Sequence, residues 1–363
     1  MAGEASGDAR GAELMRALRG RDGTLEFFGA GGGEMRALAG GAFLDWADEA
    51  VVGLWDVLKK YGYFKRRFDG MLADIGLVAP AALILIDYPG FNLRLAKAVR
   101  ARFPQVKIIY YISPQVWAWN RGRIPKMARM LDLMLCIFPF EQPLYEKSGL
   151  KTIFVGHPMV DSFAAKKTGL PREGKLVGLF PGSRAKEVSK IFPVMVEAAR
   201  LLRASDATLR FEAAAASPQL ETMMRAIAGG DDWIRFAVRD SHGLMQRAAA
   251  GMVASGTATL EAAYFGMPLV ILYKVAWLTW VVGKRLVRVP FLGMPNILAE
   301  REIAREFLQD AARPEVVADE MRRLLTNETA RATIVCALAS VTEKLGEPGA
   351  AVRAAEAIEA ALR

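Results

Sequence analysis

Two short segments combine small residues, hydroxyls and charge where a strand would pass into a helix. They are Phe180-Pro181-Gly182-Ser183-Arg184 and Ser255-Gly256-Thr257-Ala258-Thr259-Leu260-Glu261. Apolar runs, 176–180 and 251–254, lead into them, and helix-forming sequence follows each. At such turns small side chains let phosphate oxygens approach free backbone N–H groups, with the positive end of the helix dipole behind them. Glu261 stands one turn into the second helix, where its carboxylate can accept hydrogen bonds from ribose hydroxyls. Arg184 and Lys186 stand beside the first turn and can neutralise a departing diphosphate; solvated surface charge is the plainer reading of both. Two such loops in one half of a chain point to a nucleoside diphosphate site, and to a nucleotide sugar in particular.

Asp87 closes the apolar run 83–86 and precedes Tyr88-Pro89-Gly90-Phe91-Asn92. A carboxylate at the carboxyl end of a parallel strand faces the ligand crevice and can take a proton from a hydroxyl nucleophile. The competing reading is a cap on the following helix. Glu4-Ala5-Ser6-Gly7-Asp8 opens the chain, and Gly3, Gly7 and Gly11 recur at a spacing that suits close passage by a ligand or another segment. Gly29-Ala30-Gly31-Gly32-Gly33 has Glu34 where a dinucleotide fingerprint needs its last glycine, and reads as a tight turn into a helix. The sequence contains no Asp-x-Asp motif, no Walker A motif and no His/Cys cluster of metal-ligand spacing. Charge on a leaving group is therefore expected to meet protein donors and helix ends, with no metal or other cofactor. The two histidines, His157 and His242, have no Ser or Cys nucleophile at a recognisable spacing and read as structural.

The elements that must hold these residues alternate. Strands are predicted over 25–28, 83–86, 107–112, 133–138 and 152–155, then over 176–180, 209–213, 234–238, 251–254 and 269–273. Helical patterns lie between them; Phe91, Leu95, Ala98 and Arg102, for example, follow one stripe. This alternation implies parallel sheets with right-handed crossovers, in two doubly wound, Rossmann-like α/β domains. The boundary is placed at Gly156-His157-Pro158, giving domains 1–156 and 157–345, with the Ala-rich helix 346–363 completing the first. Ligands of such folds bind beyond the carboxyl ends of the strands, here in a cleft that the two domains face.

Composition sets outer bounds. With 363 residues, 53% hydrophobic and 24% charged, the chain is globular and long enough for two cores. The two cysteines, Cys136 and Cys336, sit in apolar contexts and are expected to be buried thiols of a reducing compartment. No signal peptide and no apolar run of about 18 residues is present, so a cytoplasmic protein that does not span a membrane is expected. A net charge of +9 suits phosphorylated, lipid or nucleic-acid partners without choosing between them. Placement says more. Trp55, Lys59, Lys60, Tyr63, Phe64 and Arg66 form one basic–aromatic cluster, and Trp277, Trp280, Lys284 and Arg285 a second. Such mixtures suit an anionic membrane surface, although an amphipathic helix with a solvated basic face would look the same. No nucleic-acid module is recognisable, and no nucleic-acid partner is expected.

Taken in order, these motifs resemble one family. Ala2-Gly3-Glu4-Ala5-Ser6-Gly7-Asp8, Ile86-Asp87-Tyr88-Pro89-Gly90-Phe91-Asn92, Ser113-Pro114-Gln115-Val116-Trp117-Ala118-Trp119 and Phe138-Pro139-Phe140-Glu141 are similar to motifs of the lipid-A-disaccharide synthases. So are Val155-Gly156-His157-Pro158, the two loops above, Pro295-Asn296-Ile297-Leu298 and Glu306-Phe307-Leu308-Gln309. The resemblance implies a metal-independent, inverting glycosyltransferase of the B type (GT-B). It would join UDP-2,3-diacylglucosamine to 2,3-diacylglucosamine 1-phosphate, giving a β-1,6-linked disaccharide 1-phosphate and UDP. On that resemblance Asp87 is the base for the acceptor 6-hydroxyl. Ser183, Arg184, Ser255, Gly256, Thr257, Glu261, Asn296 and Gln309 lie on the UDP side, and Glu4 and Ser6 in the N-terminal loop. Acylated substrates would give the basic–aromatic clusters a purpose, namely peripheral binding at the inner face of the cytoplasmic membrane. Docking there leaves the acyl chains in lipid and avoids about 0.8 kcal/mol for each methylene exposed to water.

The family pattern has an apolar strand ahead of the Glu4–Asp8 loop, whereas here Met1 stands where that strand should end. The expectation is a chain short by about six to eight residues, with unpaired neighbouring strands and a poorly anchored loop. Two other readings follow from the same residues. A UDP-N-acetylglucosamine 2-epimerase-like enzyme would share the architecture but would need more acid–base groups and no lipid-facing clusters. A truncated, non-catalytic UDP-binding protein would bind UDP without turnover.

Overall fold

The apolar runs fold as strands that pair in parallel, with helices returning the chain between them. The computed structural model describes residues 1–40, 43–45, 61–169, 171–276 and 289–363. It divides into two compact units, Met1–Ser162 with Leu345–Arg363, and Phe163–Lys344.

The first unit contains β1 (Gly29–Gly31), β2 (Phe43–Asp45), β3 (Ala82–Ile86), β4 (Lys107–Tyr111), β5 (Leu133–Cys136) and β6 (Thr152–Phe154). β3 to β6 form a parallel sheet in that order, and β1 pairs with β2. Met1 and Ala2 lie between β1 and β3. The Ala2 N–H donates to the Ala30 carbonyl and the Ile86 N–H to the Met1 carbonyl, each at 2.9 Å, and Ala2 bridges Ile86 in parallel. A single bridge thus stands at the central position where the sequence pattern calls for a strand. The expected 4–8 loop is instead the N-cap Glu4 and the first turn of the helix Ala5–Arg21, and it is well anchored, contrary to expectation. The buried Asp8 carboxylate accepts from the backbone N–H groups of Gly32, Glu34 and Met35 at 2.7, 2.9 and 3.1 Å.

Alternation along β4 and β5 explains why their sequences carry no polar residue after the exposed Lys107 that opens β4, Tyr110 and Tyr111 being buried with the aliphatic residues. Ile109, Tyr111, Leu133 and Leu135 join one core with Leu14, Met15 and Leu18 of the helix Ala5–Arg21 and with Ile358 of the helix Ala350–Leu362. Ile108, Tyr110, Met134 and Cys136 join another, with Leu95 and Val99 of the helix Pro89–Arg102. Both faces are covered, so no polar face remains to show in the sequence.

The second unit is one parallel sheet of β7 (Glu173–Phe180), β8 (Arg210–Ala215), β9 (Ile234–Val238), β10 (Ala248–Ala254), β11 (Leu269–Tyr273) and β12 (Glu306–Leu308). Its order is β12-β11-β10-β7-β8-β9. The chain starts in the middle, winds outward to β9, and crosses back to β10. The direction of winding reverses between β7 and β10, which makes that crevice the topological switch point. Phe180 pairs with Val253 there, so Gly182 and Ser255 emerge at the same level.

Several local expectations are corrected. Strand β1 is Gly29–Gly31 and not 25–28, and the glycine run is strand before it is turn. A Cβ on Gly31 would lie 2.7 Å from the Met35 sulfur and 3.1 Å from the Phe43 ring, so glycine is what lets those side chains cross it. Helix Pro89–Arg102 buries Asn92, Leu95, Ala96 and Val99, a face rotated from the predicted stripe. Cys136 is buried, but Cys336 is exposed, because the helix Glu328–Glu343 turns Ile334, Ala337, Leu338 and Val341 inward. No helix among the described residues is long and apolar enough to cross a membrane.

Candidate active site

In the first unit the predicted residues gather where Met1–Gly3 and β3 end side by side. Asp87 and Tyr88 follow β3 with φ of +45° and +47°, a left-handed backbone that costs a non-glycine residue about 1–2 kcal/mol. The conformation is held from three directions. The Asp87 N–H donates to the Tyr111 carbonyl at 3.0 Å. The Asp87 carbonyl accepts from the Tyr110 hydroxyl at 2.5 Å and from Asn92 Nδ2 at 2.7 Å. Asp87 does not cap the next helix, whose N-cap is Tyr88. Burial pushes the Asp87 carboxyl above its ordinary value, the nearby Glu4 carboxylate adds to the shift, and the Tyr88 N–H opposes it. A raised pKa brings a carboxylate closer to that of the hydroxyl it would deprotonate. Glu4 and Ser6 are exposed at the start of the helix Ala5–Arg21, which has no side-chain cap on its first N–H groups. The regular glycines serve packing here. A Cβ on Gly3 would sit 2.3 Å from the Tyr88 ring, and one on Gly11 2.3 Å from the Met35 sulfur.

Behind this site a buried carboxylate that the sequence did not single out joins two loops. Glu141 accepts from the Ser113 hydroxyl, from Trp117 Nε1 at 2.9 Å and from the Phe138 N–H at 3.1 Å. Burial pushes it up to about 7 against the pull of those donors. The loops after β4 and β5 are therefore fixed to each other, which accounts for two of the quoted motifs. The signal was a glutamate directly after an apolar Phe-Pro-Phe run.

In the second unit the two loops flank the β7/β10 switch point. Gly182 takes φ +107°, a conformation that favours glycine, and leaves Ser183 and Arg184 exposed at the start of the helix Ala185–Ser205. Arg184 rests against Glu187 at 3.1 Å with most of its side chain in solvent. Across the crevice Gly256 and Thr257 are exposed at the start of the helix Thr257–Tyr264. The Ser255 hydroxyl donates to the Leu292 carbonyl at 3.2 Å. Glu306 is the hub behind it, accepting from the N–H groups of Leu292 and Gly293 at 2.9 Å each and from Asn296 Nδ2 at 2.8 Å.

Asn296 and Gln309 are supports in this arrangement. The Asn296 side chain is fully buried; it donates also to the Ala304 carbonyl and accepts from the N–H groups of Ile303 and Ala304. All its hydrogen-bonding capacity is spent within the protein. Gln309 clasps Val275, accepting from its N–H at 2.8 Å and donating to its carbonyl at 3.3 Å. Glu261 meets His242, with Nε2 and Oε2 3.0 Å apart. Of the basic–aromatic clusters, Trp55, Lys59, Lys60, Trp277, Trp280, Lys284 and Arg285 lie outside the described residues, as do the side chains of Tyr63 and Phe64. Arg66 is exposed on the helix Tyr61–Val78.

Two parallel doubly wound units, each with its loops at the switch point, define the GT-B class of fold. Solved structures agree. CalG4, the calicheamicin glycosyltransferase, matches with a TM-score of 0.58 at 15% identity, over 98% of this chain and 94% of that one. UDP-GlcNAc 2-epimerase from Neisseria meningitidis, bound to UDP-GlcNAc, matches with a TM-score of 0.58 at 8% identity, over 97% of this chain and 96% of that one. At such identities the likeness is one of fold. The family model described as lipid-A-disaccharide synthetase matches residues 1–360. The lipid-A-disaccharide synthase of Trichlorobacter lovleyi is 44% identical over 359 residues, covering 96% of this chain and 93% of the relative. That of Geobacter metallireducens is 42% identical over 364 residues, covering 98% and 94%. The chain belongs to the lipid-A-disaccharide synthase family, hexosyltransferases of lipid A biosynthesis.

Proposed function

We propose that this chain joins UDP-2,3-diacylglucosamine to 2,3-diacylglucosamine 1-phosphate with inversion at the donor carbon. The observation that carries this reading is Asp87, a carboxylate not used as a helix cap, pushed up by burial and held in a left-handed turn at a strand end. It takes the proton of the acceptor 6-hydroxyl as that oxygen attacks the anomeric carbon from the face opposite UDP. The carbon–oxygen bond to the diphosphate breaks, UDP leaves with the bonding pair, and a β-1,6 linkage results. The donor sits at the β7/β10 switch point. Backbone N–H groups after Gly182 and Gly256, the Ser183 and Thr257 hydroxyls and Arg184 meet the diphosphate, and Glu261 meets the ribose. No metal ion takes part, in keeping with the lack of an Asp-x-Asp motif. Arg66 of the first basic–aromatic cluster and its neighbour Lys65, both exposed, suit an anionic membrane surface, and the inner face of the cytoplasmic membrane is where these lipid substrates would be met.

The test is UDP release by wild type and Asp87→Asn, with donor, in the presence and absence of acceptor. Acceptor-dependent release that falls at least about a hundredfold in the variant, with UDP affinity kept, is expected. Release independent of acceptor would refute the transferase reading, and full activity in Asp87→Asn would remove the base.

A further inference from the structure

His242 carries no nucleophile or metal pattern in the sequence, yet it touches a residue of the nucleotide site. Its Nε2 lies 3.0 Å from Glu261 Oε2, and its Nδ1 lies 3.5 Å from Lys166 Nζ. An ammonium can only donate, so Nδ1 is the acceptor, and the proton of the neutral ring belongs on Nε2, directed at the carboxylate. The ring is held in place by Phe163 and Phe265, with centroids 4.5 and 5.5 Å away. Its helix, Ser241–Arg247, is capped by Asp240, whose side chain accepts from the Gly243 N–H at 3.1 Å. Both partners are partly covered, with 26% of the His242 side chain and 20% of the Glu261 side chain exposed. The bond engages one carboxylate oxygen. The other, Oε1, has no hydrogen-bond partner among the described residues, and Glu261 sits one turn behind Ser255-Gly256-Thr257.

We propose that His242 is a positioning residue of the nucleotide site. It fixes the Glu261 carboxylate through Oε2 so that Oε1 is presented to the ribose hydroxyls. A free glutamate side chain would have to be ordered on binding, and a glutamate already held does not bear that cost. The inference rests on the reading of Glu261 as the ribose contact, and the experiment separates the two.

UDP and 2′,3′-dideoxy-UDP are titrated calorimetrically into wild type, Glu261→Ala, His242→Ala, His242→Asn and His242→Gln. Wild type is expected to prefer UDP by roughly tenfold or more, the worth of hydrogen bonds to a charged group. Glu261→Ala should abolish that preference. His242→Ala should cut it to within about threefold while leaving dideoxy-UDP affinity unchanged, because only the hydroxyl contact is lost. His242→Asn, which stays polar but falls short of the carboxylate, should behave as His242→Ala does and carries the test if the alanine variant folds poorly. His242→Gln, whose amide can take the place of Nε2, should restore most of the preference. A wild-type preference in both His242→Ala and His242→Asn would overturn the inference, as would an equal loss of affinity for the two ligands. A wild-type preference in Glu261→Ala would instead remove the ribose reading beneath it.

Discussion

Replacing Asn92 by leucine separates the chemistry of Asp87 from the stability of the fold. Asn92 is fully buried, and its Nδ2 donates to the carbonyls of Ile86 and Asp87 at 3.2 and 2.7 Å. Its Oδ1 is also buried and has no hydrogen-bond partner among the described residues. Leucine keeps the same branched outline, but its methyl groups are bulkier than the amide and add an overpacking cost of about 1 kcal/mol. The two lost hydrogen bonds cost about 1 kcal/mol each, and removing an unsatisfied buried oxygen returns about 1 kcal/mol or more. The net loss is therefore about 2 kcal/mol, a fall of roughly 4–8 °C in Tm. Catalysis should respond far more. Without Asn92 the left-handed turn at Asp87 and Tyr88 is held on that side by Tyr110 alone, and a carboxylate displaced by about 1 Å costs about a hundredfold in rate. Thermal melting, kcat with both substrates and the Kd for UDP are the measurements. UDP affinity should not change, since the nucleotide loops belong to the other unit. A kcat within a few-fold of wild type at the predicted Tm would refute the reasoning, because Asp87 would then need no clamp or not be the base.

Glu306→Ala leaves the N–H groups of Leu292 and Gly293 and the Asn296 amide without their carboxylate. Stability should fall by about 1–3 kcal/mol and UDP binding weaken about tenfold by titration, whereas an unchanged Kd would show that the Ser255 loop does not depend on this hub. Burial, with the Arg10 charge adding to it, holds His157 down at about 3 against an ordinary 6.5, so the ring is neutral in the folded protein. The unfolded chain binds the additional proton between those values, and the stability His157 allows is lost as pH falls from about 6.5 towards 3. Urea midpoints at about pH 7.5 and pH 5 should differ less in His157→Gln than in wild type, and equal differences would count against the assignment. Removing divalent ions with a chelator should leave transfer unchanged; restoration of a lost activity by one added metal would overturn the metal-independent mechanism.

How much of this was legible in the sequence depends on what each residue is for. Strands β9 and β11 stand at the predicted residues because turn-forming sequence marks their starts, Gly229-Gly230-Asp231-Asp232 before β9 and Gly266-Met267-Pro268 before β11. β1 escapes the sequence pattern because Gly29-Ala30-Gly31 lacks the side chains that mark a strand; Gly31 is set by Met35 and Phe43 crossing above it, and Gly29 by its φ of +144°. β2 and β12 are three residues long and carry too short a period to read. The switch points were out of reach for a different reason. Strand order is a property of pairing, and nothing local in β7 or β10 says that they are neighbours. Motif spacing located the loops, and topology then brought two of them to one crevice.

The same distinction divides the candidate residues themselves. A polar residue in a motif can be there to meet a ligand or to satisfy a backbone that must stay open for one, and the sequence signature is identical. On the proposed function, exposed Ser183 and Thr257 belong to the first kind. Asn296, Gln309, Glu141 and Asn92 belong to the second, because their hydrogen bonds are made to loop backbones or to groups within the protein. Loops at strand ends cannot satisfy their N–H and carbonyl groups in a ladder, and if those groups are to stay dry and fixed, side chains must take them. A crevice built from short loops at the ends of parallel strands therefore needs a shell of amides and carboxylates hydrogen-bonded to those loops behind the surface that binds. Substituting either kind lowers activity. Only the first kind should change affinity in proportion to the contact removed, whereas the second should act through the position of the loop it supports: Asn296 and Gln309 on UDP binding and stability together, Asn92 on catalysis and stability with UDP binding unchanged.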